Sequence, residues 1–124
     1  MEKYVMVVDD ESSMRKVLKE ALEREGYVVI EADGGKEALV LMQEIQPDLV
    51  ILDIKMPEMD GFQVLEHIRR ISEIPVIMLS GLGEVTTIHD ALSAGADDFL
   101  KKPFHIRELV ARVRAKMRRE PKEQ

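Results

Sequence analysis

Three aspartates, a serine and a lysine stand at the ends of runs made almost wholly of Val, Ile, Leu and Met. Asp9 and Asp10 follow Tyr4-Val5-Met6-Val7-Val8, and Asp53 follows Leu49-Val50-Ile51-Leu52. Ser80 closes Pro75-Val76-Ile77-Met78-Leu79, and Lys102 comes just after Phe99-Leu100. Carboxylates gathered in one place repel one another and call for a cation. A donor set of oxygens, without His or Cys, suits Mg2+ or Ca2+ rather than zinc or copper. Mg2+ is typically held by one or two carboxylates and keeps positions for water and phosphate oxygens. Lys102 adds a fixed positive charge and Ser80 a hydroxyl donor. A lysine, a hydroxyl and a divalent ion around one carboxylate are the parts of a phosphoryl-transfer site. Aspartate is a competent nucleophile once the charge on the incoming phosphoryl group is offset.

These groups can meet only if their strands lie side by side and run the same way. Strand-like runs occur at Tyr4 to Val8, Tyr27 to Glu31, Leu49 to Ile54, Pro75 to Leu79 and Phe99-Leu100. Helical patterns alternate with them. The first places Met14, Val17, Leu18, Ala21 and Leu22 on one face, with Ser12 or Ser13 as cap and Gly26 as stop. Ala38, Leu39, Met42 and Ile45 make the second, ended by Pro47; Phe62, Leu65 and Ile68 make the third, opening at Asp60. Val85, Ile88, Ala91 and Leu92 make the fourth, ended by Gly95, and Ile106, Leu109, Val110, Val113 and Met117 the fifth. Five strands alternating with five helices predict an α/β fold, a parallel sheet covered on both faces and wound by right-handed crossovers. Ligands of such sheets bind beyond the carboxyl ends of the strands, which is the edge where all five polar groups fall.

Each group also has a plain structural use. Asp9 or Asp10 could cap the first helix, Asp60 before Gly61 suits a turn or an N-cap, Ser80 a turn, and Lys102 and His67 solvated surface. The functional reading rests on coincidence, since four separate strand ends carry complementary groups. The bulk composition narrows the field. The chain of 124 residues suits one core, here residues 1–120, with a charged tail at 121–124 expected to fray. It has no cysteine, so disulfides and thiolate chemistry are excluded and a reducing compartment fits. No apolar run approaches the ~20 residues of a membrane span, and no secretory pattern opens the chain, so a cytoplasmic location is expected. A net charge of −6 disfavours direct nucleic-acid binding.

Three segments together resemble the receiver domains of bacterial two-component response regulators: Val7-Val8-Asp9-Asp10-Glu11, the stretch Leu52 to Gly61 with Asp53, Lys55, Pro57 and Asp60, and Gly95 to Phe104 with Asp97, Asp98, Lys102 and Pro103. The resemblance covers essentially the whole chain. It implies a flavodoxin-like doubly wound fold with strand order 2-1-3-4-5. It further implies that Asp53 accepts a phosphoryl group from a sensor histidine kinase, that Asp9, Asp10, Asp53 and the main-chain carbonyl of Lys55 hold Mg2+, and that Lys102, before a cis Pro103, binds the phosphoryl group. Ser80 takes the place of the switch hydroxyl and Phe99 that of the switch aromatic. Phosphate would then favour one of two pre-existing states, although Phe99 is also a natural core residue. On this reading the chain is a switch and not a turnover enzyme.

Ile106 to Ala115 resembles the fifth helix of receivers from winged-helix transcription factors. The resemblance implies a possible homodimer through the fourth helix, fifth strand and fifth helix, with Asp97, Asp98, Glu108, Arg112 and Arg119 in its charged network. Asp90 departs from the pattern, standing where a basic residue is expected. The basic residues Arg107, Arg112, Arg114, Lys116, Arg118 and Arg119 read better as a solvated helix face than as a nucleic-acid surface. The chain is expected to be either a stand-alone regulator or one separated from an effector domain. Neither Lys55 nor Leu82 offers a group to orient an attacking water, which predicts a long-lived phosphoryl group. A phosphatase of the haloacid dehalogenase type would want a second aspartate where Lys55 stands. A nucleotide or flavin module would want a Gly- or hydroxyl-rich loop in place of Asp9-Asp10-Glu11. A purely structural module would have no need of Asp9, Asp53 and Lys102 together.

Overall fold

A computed structural model describes residues 1–81 and 88–118. Among the described residues ten elements alternate: β1 (Tyr4–Val8), α1 (Ser12–Arg24), β2 (Val28–Ala32), α2 (Gly35–Glu44), β3 (Leu49–Asp53), α3 (Gly61–Ile71), β4 (Val76–Ser80), α4 (Ile88–Ser93), β5 (Asp98–Lys101) and α5 (Ile106–Met117). All strand pairs are parallel, and the order is β2-β1-β3-β4-β5, as expected. The Val and Ile runs of β1, β3 and β4 bury on both faces because helices cover both, whereas the edge strand β2 is only half-buried. Met6, Val8, Val50, Leu52, Met78 and Phe99 join the core under α2, α3 and α4. Val5, Val7, Leu49, Ile51, Ile77 and Leu100 join the core under α1 and α5. Alternation along each strand thus divides one apolar run between two cores.

The helix ends show where local signals prevail and where they do not. Asp60 caps α3 and forms a capping box with Gln63, each side chain bonding the other's main-chain N–H at 2.9 Å. Gly26, at φ +95°, follows the end of α1. The Gly26 N–H reaches the Glu23 carbonyl and the Tyr27 N–H the Leu22 carbonyl, the paired bonds of a glycine-terminated helix. At the start of α1, neither Ser12 nor Ser13 is the cap. Glu11 occupies that position without a side-chain bond, and its N–H is taken by Asp9 Oδ1 at 2.9 Å. In α2, Ile45 lies past the helical turns with φ −128°, so the helix stops before the approach to Pro47. In α4, Ala91 is buried but Ile88 and Leu92 are exposed, so the expected apolar stripe is only partly covered; Val85 lies outside the described residues.

Candidate functional site

Register brings the charged groups together. Val8 pairs with Leu52, so Asp9 and Asp53 leave adjacent strands side by side. Ser80 pairs with Lys101, and the Lys102 N–H donates to the Ser80 carbonyl at 2.6 Å, which fixes Lys102 at the same edge. Lys102 Nζ lies 3.1 Å from Asp53 Oδ1 and 3.5 Å from Asp9 Oδ2. Asp9 is fully buried, Asp53 nearly so, and Asp10 is exposed at the rim. One carboxylate oxygen from each of the three lies within 4.8 Å of the others. The Lys102–Pro103 bond is cis.

Burial raises the Asp9 carboxyl above its usual range; the Glu11 N–H and the Lys102 ammonium pull it back only in part. Burial also works against the Lys102 ammonium, but Asp53 and Asp9 outweigh it and the net shift is upward. A single lysine therefore leaves the buried carboxylate short of positive charge. Three clustered carboxylates, hard oxygen donors only and a residual excess of negative charge fit a hard divalent cation such as Mg2+.

Asp10, Asp53 and Lys102 line one wall of an open cavity of about 850 Å3, with Asp9 buried behind them. Glu11, Met14, Lys55, Met56, Pro57 and Pro103 also line it, and Gly81 sits at the β4 side. Met14 reads from sequence only as part of a helix stripe; what brings it here is the short β1–α1 connection. Ser80 is buried, with its Oγ 3.5 Å from the Gly81 carbonyl. Phe99 is 8% exposed and packs in the core under α2, α3 and α4, opposite Met78 in the ladder. Leu82 lies outside the described residues.

Gly61 has a role that its place in a turn did not reveal. Its N–H donates to the Ile54 carbonyl at 2.7 Å, and a Cβ there would sit 2.5 Å from the Asp53 carbonyl oxygen and 2.8 Å from Ile54 Cα. The first turn of α3 is thus pressed against the backbone that carries Asp53, and only glycine leaves room.

Four of the charged residues expected on an output surface, Asp97, Asp98, Glu108 and Arg112, have partners within the chain. Arg112 bonds Asp98 Oδ1 at 2.5 Å and Glu108 Oε2 at 2.9 Å. Asp97 is turned the other way, accepting from Arg69 Nη2 at 2.8 Å and from the Val76 N–H at 2.9 Å. Arg69 also donates to the Gly95 and Ile74 carbonyls. Asp90 is exposed on α4, Arg114 bonds Glu25, and His67 is exposed on α3. Arg119 and the 121–124 tail lie outside the described residues.

Residues 5–114 match the response regulator receiver domain family. The chain is 50% identical over 115 residues to a protein named probable transcriptional regulator ycf27 of Guillardia theta, covering 93% of this chain and 45% of that one. It is 43% identical over 119 residues to the transcriptional regulatory protein SrrA of Staphylococcus aureus, covering 96% and 49%. It therefore spans about half the length of these curated relatives. Among solved structures, the receiver domain of Francisella response regulator 1452 superposes with a TM-score of 0.87 at 35% identity, covering 94% of this chain and 97% of that one. A two-component response regulator from Clostridium difficile superposes with a TM-score of 0.89 at 29% identity, covering 95% and 98%. The chain belongs to the response regulator receiver domain family, and the doubly wound fold with its strand order agrees with that membership.

Proposed function

We propose that this chain is a phosphorylation-activated signalling switch in which Asp53 accepts a phosphoryl group from a sensor histidine kinase. The observation that supports it is the Asp53 carboxylate itself, bonded to Lys102 and facing an open cavity beside two further carboxylates. A carboxylate oxygen of Asp53 attacks phosphorus, the phosphorus–nitrogen bond to the kinase histidine breaks, and the imidazole takes a proton. The product is an acyl phosphate. Asp9, Asp10, Asp53 and the main-chain carbonyl of Lys55 would hold Mg2+, which supplies positive charge to the phosphoryl oxygens. Lys102 supplies the second positive charge from the β5 side.

Once phosphorylated, Asp53 presents oxygens that attract the Ser80 hydroxyl. Movement of that hydroxyl opens space into which the Phe99 ring turns, and the surface of α4, β5 and α5 changes with it. That surface controls a partner, a homodimer or an effector domain. The names of the relatives support an output in transcription. The fold has no surplus of positive charge for direct nucleic-acid binding, and among the described residues no helix is long and apolar enough to cross a membrane. A cytoplasmic location fits a kinase-controlled switch without cysteine. Intact mass after incubation with acetyl phosphate and Mg2+ tests the acceptor. A single phosphoryl adduct is expected, absent in Asp53→Asn and absent after chelation; an adduct that persists in Asp53→Asn would refute the assignment.

A further inference from the structure

Arg15 on α1 approaches the acidic site from behind. Its Nη1 donates to the main-chain carbonyl of Asp9 at 2.7 Å, and its Nε donates to Glu31 Oε1 on the edge strand β2 at 3.1 Å. Its side chain is only 17% exposed, whereas Glu31 is 37% exposed. The carbonyl that Arg15 holds belongs to the peptide joining Asp9 to Asp10. The Asp9 N–H is held as well, donating to the Ala32 carbonyl at 3.2 Å, and the Asp9 side chain is tied to the Glu11 N–H. Peptide, side chain and next turn are therefore fixed from α1, from β2 and from Glu11 at the head of α1, and the placement of both acidic residues follows from the plane of that one peptide.

We infer that Arg15, braced by Glu31, is a positioning residue that sets the Asp9–Asp10 peptide and thereby the affinity of the acidic site for a divalent cation. The inference rests on the cation-binding reading proposed above. Ligands are oriented by the groups hydrogen-bonded behind them, and losing such a group typically weakens metal binding about 10–100-fold. A guanidinium suits the task because its rigid fork bonds two acceptors at once, one on each of two elements. A lysine has a single ammonium on a flexible stem and cannot reproduce the fork. Glu31 has no place in the acidic site, yet it decides where the fork points.

The test is Mg2+ titration followed by backbone amide shifts, on the unmodified chain at a temperature where every variant is folded. Wild type, Arg15→Met, Arg15→Lys, Glu31→Gln and the Arg15→Met/Glu31→Gln pair are compared. Arg15→Met is expected to weaken Mg2+ about tenfold or more, with Arg15→Lys between it and wild type. Glu31→Gln is expected to have a smaller effect that disappears in the Arg15→Met background, as it must if Glu31 acts through Arg15. A brace that served stability alone would lower the melting temperature of the metal-free chain and leave the Mg2+ affinity unchanged. Affinity in Arg15→Met within twofold of wild type would overturn the inference, and full additivity of the two substitutions would remove Glu31 from it. Glu31→Gln, on the exposed edge strand, keeps the test decisive if Arg15→Met does not fold. Absence of Mg2+ binding by wild type would instead overturn the reading of the acidic site.

Discussion

Helices α3 and α4 cover the same face of the sheet, yet they are built differently. α3 has eleven residues, a capping box, and Val64, Leu65 and Ile68 all at 0% exposure. The described part of α4 has six residues and buries only Ala91, while Ile88 and Leu92 stand 57% and 47% exposed. One helix is anchored at its start by Asp60 and Gly61, against the backbone of Asp53. Past the end of the other, the Arg69 side chain that α3 sends across donates to the Gly95 carbonyl. Segments with few buried apolar contacts open at low free energy, and conformational switches draw on such segments. Under the proposed function, the contrast separates a closely packed helix beside the proposed acceptor from a helix whose described residues bury little and would be read out by a partner.

The contrast can be broken most easily by truncation. Leu65→Ala should cost about 2–5 kcal/mol, as deletions in a closed core do. Leu92→Ala should change stability by no more than ~0.5 kcal/mol, as exposed substitutions do. Denaturant unfolding of the two variants checks this, and equal losses would abolish the distinction between the helices.

Gly61→Ala sharpens the role of α3 as a seat. The added methyl has no space against the Asp53 carbonyl, so a loss of about 1–3 kcal/mol is expected from overpacking. Because the clash falls on the backbone of Asp53, the proposed acceptor, phosphoryl uptake should slow even where the variant remains folded. A folded Gly61→Ala protein with wild-type uptake from acetyl phosphate would show that α3 does not position Asp53.

The smallest effect is expected on the α4–β5–α5 side. Arg112 is 36% exposed and pairs with Asp98 and Glu108. Such pairs contribute ~0–1 kcal/mol, so Arg112→Gln should barely move the melting temperature. If the pairs instead specify a contact with a second copy, light scattering after phosphorylation should show less dimer for Arg112→Gln than for wild type. An unchanged monomer mass in the wild type would reject the homodimer.

Much of the site was legible because its chemistry is concentrated at strand ends. Asp9, Asp53 and Lys102 stand where apolar runs stop, and a parallel sheet has one edge on which to gather them. Asp60 and Gly26 were legible because helix ends state their needs locally. The remainder depends on what lies across the fold. Ser12 and Ser13 do not cap α1, since Asp9, fixed in the sheet, already holds the N–H that precedes them. Helical spacing places Ile88 and Leu92 on one face but does not say whether anything covers it. The clash at Gly61 lies between two segments and leaves no trace in a local pattern. Arg15 and Glu31 look like ordinary surface charges until the strand order sets β2 beside β1.

The most direct measurement is amide hydrogen exchange, read by mass, before and after phosphorylation with acetyl phosphate and Mg2+, in wild type and Asp53→Asn. Exchange should change in segments 88–101 and 106–117 of the wild type, stay constant across 61–71, and remain unaltered throughout Asp53→Asn. Equal changes in α3, or the same response in Asp53→Asn, would contradict a switch that is loaded at Asp53 and read out through α4, β5 and α5.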